Sequence, residues 1–339
     1  MKRMFQTIAQ HLRAGEDLVL VTVVASSGST PRGAGSRMLL SAGGRICGTI
    51  GGGAVEFRSE QLAQEVLRRR ESCEQSFLLT KNDVQDLGMI CGGDVQVFFH
   101  FLPAGDAGLL ALAQEAEALF AAGHDLWLVS ELSAGSRLGL YSRERGFVGI
   151  DAPEALRDAM RRRPVREELD GRDFYVEQIQ SSGRVLVFGC GHVAQALVPV
   201  LAHVGFRCVA MDDRPEFARR DLFPDAEDVR LVDFTNLAAS VAITEEDYIC
   251  VMTRGHAFDA VVQAQAMQSP ACYIGVIGSR KKIAGVKARL KEEYGFADAA
   301  FERVTSPIGL AIRAETPEEI AVSIAAQLIA LRAERSGRR

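Results

Sequence analysis

Residues 184–214 read RVLVFGCGHVAQALVPVLAHVGFRCVAMDDR, and this stretch decides the fold. Val185–Phe188 is an apolar run too short for a helix of its own, and it ends at a glycine. Gly189-Cys190-Gly191-His192-Val193-Ala194 follows with Gly-x-Gly-x-x-Ala spacing. Val193, Leu197, Leu201 and Val204 then recur at helical intervals as far as Gly205, a natural C-terminal stop. A second apolar run, Cys208–Met211, ends at Asp212, about twenty residues past the glycines. Strand, tight turn, helix, strand and acid in that order predict a dinucleotide-type βαβ unit. The glycines let backbone N–H groups approach a pyrophosphate at the helix N-terminus, where the dipole favours an anion. Asp212 then stands where a ribose hydroxyl is held. The competing reading is a strand–helix turn that needs glycine only for packing. Pro199, inside the helix, predicts a kink.

Downstream of this unit, strand and helix patterns alternate at 229–232, 247–252, 258–267, 272–277 and 283–294. Such alternation predicts a parallel sheet covered on both faces, so the C-terminal part is expected to be a Rossmann-like, doubly wound α/β domain. Thr316 as cap, Pro317 at the first helical position and Glu319 closing a capping box predict a last helix, with Ile320, Ile324, Leu328 and Leu331 as its core stripe.

Ligands of open parallel sheets bind beyond the carboxyl ends of the strands. The loops expected there carry the Gly189–Ala194 turn, then Asp212-Asp213-Arg214, then Thr253-Arg254-Gly255-His256-Ala257-Phe258-Asp259, then Gly278-Ser279-Arg280-Lys281-Lys282. The last of these, basic and set between a strand and a helix, suits phosphate. Arg214 beside the acids leaves both a plain ribose and one with an extra phosphate open. His192 and His256 fall near the ligand in this topology, as contacts or as structural residues, with Asp259 available to hold His256. His11, His100, His124 and His203 belong to no constellation.

The first half reads differently. A helix over 4–14 and a buried strand over 18–25 precede a glycine- and hydroxyl-rich loop, 26–36, around Arg32. A hairpin over 37–50 leads to Gly51-Gly52-Gly53, and a helix containing Glu56 begins at Ala54. This strand end and helix start repeat the pattern of a backbone anion cradle. Strand patterns at 76–80, 95–102, 125–131, 137–141 and 174–179, with a helix at 107–122, give an α+β domain; 151–173 is a charged region. Cys91 sits in the loop Cys91-Gly92-Gly93. A thiolate there can contact a soft metal or sulfur, and the bland alternative is a small apolar residue at a tight turn. The natural boundary is Ser181-Ser182-Gly183, dividing the chain into an N-terminal domain, 1–181, and a C-terminal domain, 182–339.

A chain of 339 residues has room for two such cores. A net charge of −5 without a basic face points away from nucleic acid. There is no secretory signal pattern and no apolar run of membrane-spanning length, so a cytoplasmic protein is expected. The seven cysteines are scattered, odd in number and free of C-x-x-C pairs, which fits reduced thiols better than disulfides or structural zinc.

Taken together these segments resemble the xanthine dehydrogenase accessory protein family (XdhC/CoxI type). The resemblance spans almost the whole chain. It rests on Gly28-Ser29-Thr30-Pro31-Arg32, Gly33–Met38, Gly48–Glu56, Cys91-Gly92-Gly93, the 189–194 turn, Asp212–Phe217, Tyr273–Lys282, Pro307–Leu310 and Thr316–Ala321. Gln327, where an acid is usual, and Ala311-Ile312-Arg313 depart from the pattern. The resemblance implies a chaperone of the molybdenum cofactor, as molybdopterin or its cytosine dinucleotide. Such a protein shelters the pterin while a cysteine desulfurase supplies the terminal sulfido ligand. It then delivers the cofactor to an apo molybdenum hydroxylase, and it is expected to be a homodimer. The alternative is an NAD(P)-dependent oxidoreductase, because the Rossmann unit suits both. The first half, with its glycine loops and few candidate bases, favours the chaperone.

Overall fold

The computed structural model describes residues 1–28, 33–79, 93–132 and 136–336. The chain divides into two compact units, Met1–Ser181 and Ser182–Arg339.

The N-terminal unit holds α1 (Lys2–Arg13), β1 (Leu18–Gly28), β2 (Arg37–Ser41), β3 (Gly44–Thr49), α2 (Gly53–Arg69), β4 (Cys73–Leu79) and β5 (Gly93–Leu102). After these come α3 (Ala107–Ala122), β6 (Leu126–Glu131), β7 (Leu138–Ser142), β8 (Gly146–Val148), β9 (Val165–Leu169) and β10 (Arg172–Gln180). The strands form two five-stranded antiparallel sheets, ordered β3-β2-β1-β5-β4 and β8-β7-β6-β10-β9. Strand β1 is apolar on both faces because both are covered. Leu18 and Leu20 pack with α1 and α3, whereas Val19, Val21 and Val23 pack with α2. In α1 the buried residues Phe5, Ile8, Ala9 and Leu12 recur at helical spacing and make one stripe.

The charged region 151–173 holds more structure than its composition predicts. A 3₁₀ turn, Glu154–Ala159, leads into a β9–β10 hairpin closed by Asp170 and Gly171, both at positive φ. An Asp-Gly pair in this conformation matches the right-handed twist of the strands it joins. The charges sit on a strand whose side chains are half-buried or exposed, which hides it from a search for apolar alternation.

His100, on β5, is buried beside Phe98 and 3.5 Å from the Ser136 hydroxyl. Burial pushes its imidazole down to about 4, against smaller opposing contributions from Ser136 and Glu131. The unfolded chain takes up this proton from about pH 6.5 downward, while the folded chain resists until about 4. Stability from the neutral ring is therefore full above about 6.5 and lost as the pH falls toward 4, by on the order of 3 kcal/mol. Urea titrations across this window are expected to show the decline in the N-terminal unit, and His100→Phe to flatten it.

The C-terminal unit contains β11 (Arg184–Phe188), α4 (His192–His203), β12 (Arg207–Asp212), β13 (Asp228–Leu231), β14 (Tyr248–Val251) and α5 (Gly255–Gln268). It continues with β15 (Tyr273–Val276), α6 (Arg280–Tyr294), β16 (Val304–Thr305) and α7 (Pro317–Arg335). The strands form one parallel sheet in the order β13-β12-β11-β14-β15-β16. Numbered within the unit, that is 3-2-1-4-5-6, the order of a dinucleotide-binding sheet, and its switch point lies between β11 and β14. Leu197 and Leu201 of α4 pack with Ile324 and Leu328 of α7 on one face; Ala260 and Ala264 of α5 pack with Val286 and Leu290 of α6 on the other. The predicted doubly wound α/β domain is present, as is the α+β unit before it.

Helix α7 starts as predicted: the Thr316 hydroxyl accepts the Glu319 N–H, and the Glu319 carboxylate accepts the Thr316 N–H. Helix α4 runs unbroken through Pro199. Gln327 substitutes for the expected acid, its amide oxygen accepting from the Tyr273 hydroxyl and the Gly309 N–H, each at 2.7 Å. Among the described residues no helix is long and apolar enough to cross a membrane.

Candidate functional site

The 189–194 turn stands at the sheet's switch point, and its two glycines do different work. Gly189 has φ +105°, and a Cβ there would lie 2.4 Å from the Met252 carbonyl oxygen and 2.8 Å from the Thr253 nitrogen. It is glycine so that the exits of β11 and β14 can touch. Gly191 has φ −71°, ordinary for any residue, and a Cβ there would meet nothing within 4 Å. No packing in this chain requires glycine at 191, and the space before the first turn of α4 stays clear. His192 is exposed at the start of α4, Val193 is half-buried, and Ala194 is buried in the core. The Cys190 thiol is buried, and burial together with Asp212 pushes it up to about 12, so it stays protonated.

Asp212 ends β12 and is wholly buried. Its Oδ1 accepts the Arg214 N–H at 3.0 Å and Arg214 Nε at 2.8 Å; Oδ2 accepts the Cys190 N–H at 2.7 Å and Arg214 Nη2 at 3.0 Å. Burial alone disfavours the charge, but the arginine and the two amides outweigh it and hold Asp212 below the usual carboxylate range. Arg214 also lies over the Phe217 ring, 3.7 Å from its centroid. Asp213 is more exposed, and burial and Asp212 raise its pKa.

At the exit of β14, Thr253 Oγ1 donates to Asp259 Oδ1 at 2.6 Å. The other Asp259 oxygen lies 2.6 Å from Lys282 Nζ, an ion pair rather than a well-aligned hydrogen bond. Asp259 is therefore engaged by Thr253 and Lys282. His256 is the second residue of α5, and its side chain lies outside what is described. Helix α6 begins three residues earlier than its apolar pattern predicts. Arg280, Lys281 and Lys282 consequently occupy its first turn, with Ser279 Oγ accepting the Lys282 N–H. Three cations at a helix N-terminus oppose the dipole, an arrangement an anion would relieve. Gly278 is half-buried beside them, with the Lys282 stem 3.2 Å from where a Cβ would stand. Arg254, Arg280 and Lys281 are exposed and, among the described residues, form no ion pair. Lys282, read from sequence as the end of a basic loop, lies instead in the first turn of the helix and pairs with Asp259.

The glycine cradle of the N-terminal unit is already filled. Gly51, Gly52 and Gly53 all have positive φ, and the Glu56 carboxylate accepts the N–H groups of Ile50 at 3.0 Å and Gly52 at 3.1 Å. Thr49 Oγ1 and the Arg45 guanidinium complete its shell. Burial disfavours the charge, but the Thr49 hydroxyl, the two amides and Arg45 carry Glu56 below the ordinary carboxylate range. Within this turn the helix's own Glu56 carboxylate takes the Ile50 and Gly52 amides, and the Gly51 N–H goes to Thr49 Oγ1. Glu56→Gln is expected to lower the stability of this unit by roughly 2 kcal/mol, read by urea denaturation at pH 7. Arg32 and Cys91 lie outside the described residues. A groove of about 740 Å³ between α2 and β4, lined in part by Phe57, Arg58, Phe77 and Leu78, also takes in Ala54 and Val55 of the Gly48–Glu56 segment but none of the candidate site residues. Among the described residues no group of three or more His, Cys, Asp or Glu is arranged to hold a metal ion.

The sheet order and the glycine turn at its switch point define a protein with a C-terminal Rossmann domain. Residues 185–328 match the model of the XdhC Rossmann domain, and residues 11–78 match that of the XdhC and CoxI family. The chain belongs to the XdhC and CoxI family. It is 25% identical over 331 residues to a probable xanthine dehydrogenase subunit of Bacillus subtilis (strain 168), covering 94% of each chain. To the molybdenum cofactor insertion chaperone PaoD of Escherichia coli (strain K12) it is 22% identical over 321 residues, 95% of this chain and 85% of PaoD. It is 23% identical over 311 residues to YqeB of the same organism, matching 91% of this chain but spanning only 42% of that longer protein. The crystal structure of a xanthine dehydrogenase from Bacillus halodurans shares the fold, with a TM-score of 0.77 at 24% identity, over 98% of this chain and 96% of that one.

Proposed function

We propose that this protein is a maturation factor for a molybdenum hydroxylase of the xanthine dehydrogenase type. It holds the molybdenum cofactor, as molybdopterin or its cytosine dinucleotide, while a cysteine desulfurase supplies the sulfido ligand, and it passes the cofactor to the apo enzyme. In this reading it is a cytoplasmic homodimer that works by binding and transfer rather than turnover. Family membership supports the role, as does likeness along most of the chain to a protein named as a molybdenum cofactor insertion chaperone.

The observation that carries the reading is the clear space at Gly191. A pterin cofactor ends in a phosphate, or in a pyrophosphate joined to a nucleotide. That end fits a helix N-terminus whose glycine has no packing role. The amides of the first turn of α4, with His192, would hold this anion, and Arg254, Ser279, Arg280 and Lys281 would add donors along the same sheet edge. The bound group would supply the molybdenum chemistry; the chain's part is to seat and orient its anionic end.

The test is retention of molybdopterin through gel filtration by the wild type and by Gly191→Asp. Aspartate is a favoured helix N-cap and only slightly better than glycine there, so stability is expected to hold or to rise by roughly a few tenths of a kcal/mol. Its carboxylate would stand in front of the anion seat, and cofactor retention is expected to fall at least about a hundredfold. Wild-type protein that retains neither cofactor form overturns the maturation reading. Undiminished retention by Gly191→Asp would place the anion elsewhere.

A further inference from the structure

We infer that Arg214 closes the ribose-reading position of the C-terminal unit, so that this Rossmann domain discriminates against nucleotides recognised through a free ribose diol. The inference goes beyond the maturation role and does not rest on it. In a dinucleotide-binding sheet the acid at the end of the second strand accepts hydrogen bonds from ribose hydroxyls. Asp212 occupies that position in sequence and in space, but it has nothing left to accept with. An ionised carboxylate offers about four lone-pair sites, and all of them are engaged. Two take backbone N–H groups, of Cys190 and Arg214, and two take the Arg214 side chain in a bidentate fork.

Releasing the carboxylate to a diol is unfavourable on both sides of the pair. The guanidinium is mostly buried over the Phe217 ring and would lose its counter-charge there. The Cys190 amide also shapes the glycine turn through its bond to Oδ2, so a shift of Asp212 would disturb the turn that seats the phosphate. Where a nicotinamide enzyme presents a bare acceptor, this chain presents the edge of an arginine, and its Nη1 nitrogen bonds none of the residues that hold the fork. The position offers donors, and a diol anchored by its own O–H groups finds no free acceptor on Asp212; the neighbouring Asp213 carboxylate lies outside the fork, 3.8 Å from Arg214 Nε. A site lacking the partner a polar group needs can reject that ligand by several orders of magnitude.

Calorimetric titration of the full chain with NADH tests this, with Arg214→Ser and Arg214→Lys alongside. The wild type is expected to give no saturable binding up to about 1 mM. Arg214→Ser frees two acceptor sites on Asp212 and is expected to bind NADH at least about tenfold more tightly than the wild type. Serine leaves Asp212 buried without its counter-charge, and that variant can fail to fold. Arg214→Lys keeps the charge but replaces the fixed fork with a mobile point donor, and a gain of several-fold is expected. Circular dichroism and Tm identify which variants are folded. The inference is overturned if the wild type binds NADH in the micromolar range, or if a folded variant binds it no better than the wild type. Neither outcome touches molybdopterin retention, so failure here is separable from failure of the maturation reading.

Discussion

Gly189→Ala is expected to unfold the C-terminal unit or leave it only marginally stable. Two costs coincide at this position. The backbone lies at φ +105°, outside the range an L side chain adopts comfortably, and a Cβ would press to 2.4 Å on the Met252 oxygen and 2.5 Å on its carbonyl carbon. Those are backbone atoms, and they are pinned: Met252 donates its N–H to Phe188 at 2.7 Å while Gly189 donates to Met211 at 2.7 Å. The exits of β11, β12 and β14 are thereby tied at one residue, and none can yield without opening the sheet at its switch point. Conformational strain of about 1–3 kcal/mol and overpacking of a similar size are to be added. Their sum, about 2–6 kcal/mol, is a large part of what a domain has to lose. Urea denaturation should show the transition of the C-terminal unit moved to much lower denaturant, or a chain that is insoluble when expressed. Gly191→Asp, two residues on, is the control: a side chain there meets empty space and the unit should fold normally.

Arg37→Ala is expected to cost the N-terminal unit about 3–5 kcal/mol, because it strands a buried carboxylate. Arg37 on β2 and Glu177 on β10 join the two five-stranded sheets, with only 4% and 8% of their side chains exposed. The Arg37 guanidinium also donates to the Gly35 carbonyl at 3.1 Å, and the Tyr175 hydroxyl donates to Glu177 at 3.1 Å. Gly35 lies so close that a Cβ would stand 2.4 Å from Glu177 Oε1. With the arginine gone, Glu177 keeps the Tyr175 hydroxyl and the nearby Met1 ammonium but loses its ion-pair partner, and must either bury its charge or take up a proton. Arg37→Met combined with Glu177→Leu removes both charges and fills similar volume. That double variant should lose less than the single one, since a buried ion pair contributes little net stability over an apolar pair. Denaturation curves of wild type, single and double variants decide the matter. A double variant less stable than Arg37→Ala would mean that the pair is worth more than its desolvation cost.

Much of the fold could be read along the chain. The βαβ pattern, the alternation after it and the Thr316–Glu319 capping box are all local, each settled by residues within one or two turns of one another. Where reading failed, the local signal was weak or outvoted. The β9 strand is rich in charge, and only Asp170-Gly171 announced its hairpin. Arg280-Lys281-Lys282 looked like a loop because no apolar residue marks the first turn of α6. Gln327 looked like a defect, although its partners, 54 and 18 residues away in sequence, need only an acceptor, which an amide oxygen supplies.

The candidate site was legible as a set of positions and not as a set of occupancies. Sequence is enough to say that glycine turns lead into helices at 189–194 and 51–56, and that an acid ends β12, since spacing fixes strand, turn and helix. Whether such a turn is open or already filled depends on which groups compete for its amides across a few ångströms of folded space. Glu56 wins that competition in the N-terminal unit because Thr49 and Arg45 converge on it. Asp212 is taken by Arg214 because Phe217 supports the guanidinium from the other side. At Gly191 no carboxylate among the described residues takes the amide, and a Cβ there would meet nothing within 4 Å, whereas at 51–53 Glu56 accepts the Ile50 and Gly52 amides.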